Sequence, residues 1–312
     1  MKHVYSRLAI VTVLALTALA APALARTVEA NVSPVLTTRA DGHTKAKLGQ
    51  RQRAALLPAS RLTALRSSAI LILDPTTRKV LYQKNARAIM PIASVTKLMS
   101  ALVVIGAGQD MRAMLSISDA DVDRLKYSSS RLRIGTRLTR GSMLHIALMS
   151  SENRAASALG RHYPGGTARF VEAMNAKARL LGMHNTRFVE PTGLSSANVS
   201  TPEDLARLVV AAQRQPLIRK YSTDRGYTIA QGRQRTAYRN SNRLIASSGW
   251  QIGLQKTGYI SEAGRCMVLH AMVKGRAVVM VFLDAHGKFS RARDANRVRS
   301  WLVGNGKAGQ FR

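Results

Sequence analysis

A serine hydroxyl and a lysine amine stand three residues apart in Ala93-Ser94-Val95-Thr96-Lys97. On a helix, residues i and i+3 share a face with their Cβ atoms roughly 5–6 Å apart, so the amine reaches the hydroxyl. A neutral serine is a weak nucleophile and needs a base. Lys97 serves as one only when uncharged, which calls for burial or a neighbouring cation. An acyl intermediate also needs N–H donors for its oxyanion and a proton for the leaving amine. Two later stretches carry suitable groups. Ser151-Glu152-Asn153 offers a hydroxyl and an amide at a junction between helices, and Lys256-Thr257-Gly258 ends a strand-like run with a second lysine. Glycine at 258 would let a substrate backbone pass close by.

The order Ser-x-x-Lys, Ser-x-Asn, Lys-Thr-Gly resembles the signature of penicillin-binding proteins and serine β-lactamases. The intervals, 57 residues from Ser94 to Ser151 and 105 from Ser151 to Lys256, suit that superfamily. Arg87 to Ser94, Glu190-Pro191-Thr192-Gly193-Leu194 and Asn240-Ser241-Asn242-Arg243-Leu244 are similar to stretches of the low-molecular-mass D-alanyl-D-alanine peptidases. Met149 to Ala156 looks most like the penicillin-binding protein 7 branch, whose members act as D,D-endopeptidases. The resemblance spans about Ser67 to Val303.

It implies the following roles. Ser94 attacks a D-alanyl carbonyl with Lys97 as base, and Ser151 relays a proton to the leaving nitrogen. Asn153 orients the lysines and substrate, while Lys256, Thr257 and Gly258 bind the peptide or a β-lactam carboxylate. The backbone N–H groups of Ser94 and Tyr259 form the oxyanion hole. The implied partners are peptidoglycan peptide stems, with β-lactams as covalent inhibitors; no cofactor and no metal are expected. The implied reaction is hydrolysis of D-alanyl cross-links. The alternative is a carboxypeptidase that removes terminal D-alanine, and a remoter one is a β-lactamase. Glu190 lies where some lactamases keep a water-activating glutamate, but it precedes Pro-Thr-Gly-Leu, the peptidase pattern, and reads as a loop residue.

Other chemistries lack their residues. His43, His145, His162, His184, His270 and His286 are scattered, with no His-Glu-x-x-His spacing. No Gly-x-Ser-x-Gly elbow exists for a Ser-His-Asp hydrolase. Ser196-Ala197-Asn198 repeats the Ser-x-Asn pattern in a loop just ahead of the Thr201 helix start. Cys266, the only cysteine, sits in the apolar run Cys266-Met267-Val268-Leu269 and reads as a buried strand residue.

The elements that position these residues follow from patterning. Met1 to Arg7 is basic, Leu8 to Leu19 is apolar and uncharged, and Ala23-Leu24-Ala25 is a small-x-small cleavage pattern. Residues 1–25 therefore read as a signal peptide cut after Ala25, which exports the protein, as to a periplasm. Residues 26–61 read as a flexible basic tether, 62–306 as the peptidase-like domain, and 307–312 as a tail. Beyond Gly258, 54 residues suffice for the rest of a sheet and one helix, with no amphipathic C-terminal anchor expected. Ser68 to Leu73 and Val80 to Tyr82 predict a hairpin; Ile252 to Tyr259, Arg265 to Val273 and Ala277 to Leu283 predict three more strands. Helices are predicted from Ser94 to Gly106, from a Thr139 cap, over Arg154 to His162, from a Thr167 cap to Gly182, from a Thr201 cap, and over Ser290 to Leu302.

The resulting fold class is α+β, like the DD-peptidases and β-lactamases. A five-stranded antiparallel sheet is flanked by N- and C-terminal helices, and a mostly helical lobe, about 109–245, is inserted. After signal removal, 46 basic residues face 16 acidic ones, a net of +30. That surface favours anionic partners. Export and the scarcity of aromatics argue against nucleic acid and for anionic wall material or membrane head groups.

Overall fold

The apolar runs at both ends of the peptidase-like region form one sheet. The computed structural model describes residue 62 and residues 64–232 and 234–305. The signal-peptide, tether and tail assignments lie outside the described residues. β1 (Ser67–Leu73), β2 (Val80–Lys84), β9 (Gln251–Ile260), β10 (Gly264–Val273) and β11 (Arg276–Ala285) are ordered β2-β1-β11-β10-β9, every neighbour antiparallel. The first strands and the last thus pair, with Ile70 opposite Phe282.

Continuous rather than alternating apolar runs fit strands covered on both faces. On one face Ile70, Ile72, Met267, Leu269, Met280 and Phe282 pack with Val298, Trp301 and Leu302 of α7 (Ser290–Asn305). On the other, Leu71, Val268, Val279, Val281 and Leu283 join the core that holds Leu205, Leu208 and Val209 of α5 (Pro202–Gln213). Each large side chain so buried contributes roughly 1.5–3 kcal/mol. In chain order α5 falls in the insert, yet it lies on the sheet, with α1 (Lys97–Gly106) packed behind it.

The insert also holds α2 (Arg140–Met149), α3 (Asn153–Arg161), α4 (Gly166–Leu180) and α6 (Pro216–Thr223). Its short strands are β3 (Met90–Pro91) paired with β6 (Val199–Ser200), and β4 (Met114–Ser116) paired with β5 (Arg137–Thr139). Thr139 and Thr201 cap α2 and α5 through the N–H groups of Ser142 and Asp204, as their types predict. Thr167 does not cap α4. The helix starts at Gly166 behind Gly165, whose φ of 81° turns the chain one residue earlier. The hairpin of β7 (Gly226–Gln231) and β8 (Gln234–Arg239) and the short α6 had no sequence signal. The hairpin strands are largely polar and α6 spans only two turns.

The two chain ends of this region are locked by a carboxylate. Asp294 of α7 is fully buried and accepts the N–H groups of Arg66 and Ser67, at 3.0 and 2.8 Å, and the Ser67 hydroxyl at 2.8 Å. Asp294→Ala should leave three donors unpaired and lower stability by about 2–3 kcal/mol in chemical denaturation.

Candidate active site

Ser94 sits in a 3-10 turn, Ala93–Thr96, directly ahead of α1. The turn is strained and crowded. Ala93 has a φ of 46°, outside the usual range for a residue with a side chain. A Cβ on Gly258 would lie 2.9 Å from the Ser94 nitrogen, and one on Gly193 would lie 2.0 Å from the Ala93 carbonyl oxygen. What passes close to Gly258 is therefore the protein's own turn at Ile92–Ser94, where the sequence suggested a substrate backbone. Glycine here lets β9 press against the Ser94 amide, which in the first turn of a helix has no carbonyl behind it.

Lys97 is buried, 1 % exposed, and its Nζ has three neighbours. These are Ser94 Oγ at 2.8 Å, Asn153 Oδ1 at 2.7 Å and the Thr192 carbonyl oxygen at 2.6 Å. Two of the three accept only. A neutral amine has two N–H bonds, and those two oxygens take both, leaving the lone pair for the Ser94 hydroxyl. Burial pushes the lysine down to about 8, against the pull of the Glu190, Glu152 and Asp123 carboxylates. Lys256, fully buried, donates to Ser151 Oγ at 2.9 Å and to the Thr257 carbonyl at 2.8 Å. Burial, then the Lys97 and Arg291 cations, hold it well below the ordinary lysine value. Ser151 itself has a φ of 67°, a strained setting between α2 and α3 that turns its hydroxyl toward Lys256. The fold thus brings two hydrogen-bonded groups to one site, Ser94–Lys97–Asn153 and Ser151–Lys256, close enough for the two lysines to affect each other's charge, with Thr257 and Gly258 on the adjoining strand.

This arrangement of serine, two neutralisable lysines and an amide has known counterparts. Residues 56–287 match the family described as D-alanyl-D-alanine carboxypeptidase. The chain belongs to that family. It is similar to a D-alanyl-D-alanine endopeptidase of Pseudomonas aeruginosa, 46% identical over 240 residues, covering 76% of this chain and 77% of that protein. A D-alanyl-D-alanine endopeptidase of Escherichia coli is 43% identical over 238 residues, with the same coverage. The crystal structure of the Streptomyces K15 DD-transpeptidase matches with a TM-score of 0.71 at 28% identity, covering 77% of this chain and 98% of that one. The family assignment agrees with the resemblance carried by the three motifs.

The contacts that support this peptidase site were not read from the sequence, although Glu190 and Ser241 fall in family-like stretches; Ser128 and the supporting role of Asn198 had no signal. The loop that presents the Thr192 carbonyl is organised by Glu190, whose carboxylate accepts from the N–H groups of Thr192 and Gly193, both at 2.6 Å, and from the Thr192 hydroxyl and Asn198 Nδ2. Both of its oxygens are consumed, so it stands as a loop residue with none left to activate water. Asn198, set aside as a second Ser-x-Asn, is fully buried and ties this loop to Thr96 at 3.1 Å. Asn153 Nδ2 donates to Ser128 Oγ at 2.9 Å, and Ser241 Oγ meets Thr257 Oγ1 at 2.8 Å. The Glu190 contacts with Thr192 and Gly193 are local, whereas Asn153–Ser128, Asn198–Thr96 and Ser241–Thr257 join side chains 25, 102 and 16 residues apart, which no local spacing reveals.

Cys266 is fully buried, with its thiol pushed up to about 11 by burial, and packs in β10 as its apolar run predicts. His145 is stacked between Tyr221 and Tyr227 at 4.3 and 4.2 Å, with Asp224 3.0 Å away, so it serves packing in the lobe.

Because Lys97 loses its proton at a lower pH folded than unfolded, the unfolded chain binds more protons between pH 8 and the ordinary lysine value of 10.5. Stability from this residue therefore rises across that window, by up to about 3 kcal/mol, and its burial cost is fully present below it. Lys97→Met should lack that increment, measured as the difference between wild-type and variant denaturation midpoints at pH 7 and pH 10.5.

Proposed function

We propose that this protein is an exported serine D,D-peptidase that hydrolyses D-alanyl cross-links in peptidoglycan through an acyl-enzyme on Ser94. The observation that carries the reading is the placement of the Lys97 amine, 2.7 Å from Asn153 Oδ1, 2.6 Å from the Thr192 carbonyl oxygen and 2.8 Å from Ser94 Oγ, so that once it is neutral its lone pair faces the hydroxyl. Ser94 Oγ attacks the D-alanyl carbonyl carbon as its proton passes to Lys97 Nζ. The oxyanion is met by the N–H groups of Ser94 and Tyr259. The C–N bond then breaks, and the leaving nitrogen takes a proton through the Ser151 hydroxyl, which Lys256 holds at 2.9 Å. The proton so relayed is the one Lys97 took from Ser94, which leaves Lys97 neutral again; it then takes a proton from the water whose oxygen attacks the acyl carbon, and returns it to Ser94 Oγ as the ester bond breaks. Thr257, backed by Ser241, receives the carboxylate next to the leaving nitrogen.

The similar proteins that bear the name endopeptidase support cross-link cleavage over removal of terminal D-alanine. β-Lactams enter by the same attack and leave slowly, since Glu190 is committed to its loop. Digestion of purified cross-linked muropeptide dimers and pentapeptide monomers, read by mass, decides between the two reactions. Dimer cleavage is expected, with no activity and no penicillin adduct for Ser94→Ala. Loss of terminal D-alanine with dimers intact would instead make it a carboxypeptidase.

The excess of basic residues supports retention near anionic wall material. Binding to isolated sacculi should fall steeply as salt is added, since screening shortens with ionic strength; binding unchanged at high salt would remove the electrostatic reading.

A further inference from the structure

Basic residues outnumber acidic ones three to one, at 48 to 16, so a carboxylate here rarely lacks a cation. Among the described residues, nearly every Asp and Glu lies within ion-pair distance of a basic side chain. Asp123, Glu190 and Asp294 do not, but donors from the chain occupy both oxygens of each. Glu152 is the exception. Its Oε1 accepts from Ser130 Oγ at 2.7 Å and from the Arg154 N–H at 3.3 Å, while Oε2 has no donor and no basic side chain is within ion-pair distance.

Its position makes this more than a vacancy on the surface. Glu152 is half-buried and lines a pocket of about 340 Å³ together with Ser130, Arg131, Ser151 and Asn153. It is thus flanked by the two residues that contact Lys256 and Lys97. The nearest arginines are held elsewhere. Arg131 stacks on the Tyr238 ring at 4.0 Å and donates to the Ala237 carbonyl at 2.5 Å; Arg154 donates to the Leu132 carbonyl at 2.7 Å. Glu152 does cap α3, but Ser, Thr, Asn and Asp do that with a shorter side chain. The extra methylene carries the second oxygen out of the cap.

We infer that Glu152 is a specificity-determining residue, and that its free carboxylate oxygen receives a primary ammonium group borne by the substrate, the side-chain amine of a diamino acid in the peptide stem. This rests on the peptidase reading of the cleft and adds the charge of the substrate it selects. An ammonium on a carboxylate in a partly dry site combines ion pairing with a charge-assisted hydrogen bond; acetylation removes the positive charge and leaves a single amide N–H to donate.

The test uses the full chain and Nα-acetyl-L-lysyl-D-alanyl-D-alanine with its side-chain amine either free or acetylated. For a peptide that is not hydrolysed, the readout is its slowing of Ser94 labelling by a fluorescent penicillin. Wild type should favour the free amine by about tenfold in kcat/KM or in labelling protection. Glu152→Gln keeps an oxygen for Ser130 and the cap, and should bring the two peptides to within about twofold. Its penicillin labelling shows that the cleft is still folded. Equal use of both peptides by wild type overturns the inference. So does a variant that loses the same factor on both, because a capping role, or a role in setting the Lys97 proton affinity, moves both peptides together and shifts the pH profile. If wild type takes no penicillin label at all, the peptidase reading itself falls, and this inference with it.

Discussion

A lysine amine enclosed by protein is useful as a base only if something fixes where its lone pair points. Here that is done by two carbonyl oxygens, from Asn153 and Thr192, which occupy the N–H bonds of Lys97 and leave the remaining direction to Ser94. The rest of the structure answers to this constraint. Asn153 is held by Ser128, whose own position is set by the Asp123 turn through bonds of 2.6 and 2.9 Å. Thr192 is held by Glu190 and by the glycine that follows it, and Asn198 fastens that loop to Thr96. Three separate segments of chain therefore meet at one nitrogen.

The second lysine extends the same logic to the sheet. Lys256 lies on the edge strand β9, opposite Val268 of β10, and its amine crosses to the lobe at Ser151. Arg291 of α7 donates to the carbonyls of Gly258 and Cys266, at 2.7 and 3.0 Å, and places a third cation behind the site. Gathering three basic groups in a dry interior is costly for stability, and it is tolerated because a large two-faced sheet core supports it. The cost has a chemical return, since burial brings an amine toward the range in which it can accept a proton.

Glu152 shows how a motif position without an assigned role can matter. The Ser-x-Asn spacing leaves its middle residue open, and in this chain the residue there is an acid in a protein that has few. Among the described residues no basic side chain lies within ion-pair distance of it, and the helix it caps holds it between Ser151 and Asn153, in a pocket those residues line.

Much of this was legible in the order of residues. Continuous apolar runs at 68–73, 265–273 and 277–283 mark strands buried on both faces, and Thr-Pro-Glu-Asp at 201–204 marks a helix start. The β7–β8 hairpin and the short α6 were not, because polar strands and two-turn helices are stabilised by what they pack on. The sequence by itself determined which groups the fold would gather: Ser94, Lys97, Ser151, Asn153 and Lys256 could be named from motif and order alone. Only the tertiary structure decided their protonation and direction. A lysine's charge depends on how much water reaches it, and its lone pair on which oxygens surround it. For Lys97 those oxygens come from residues 56 and 95 positions away, separations that no local spacing records.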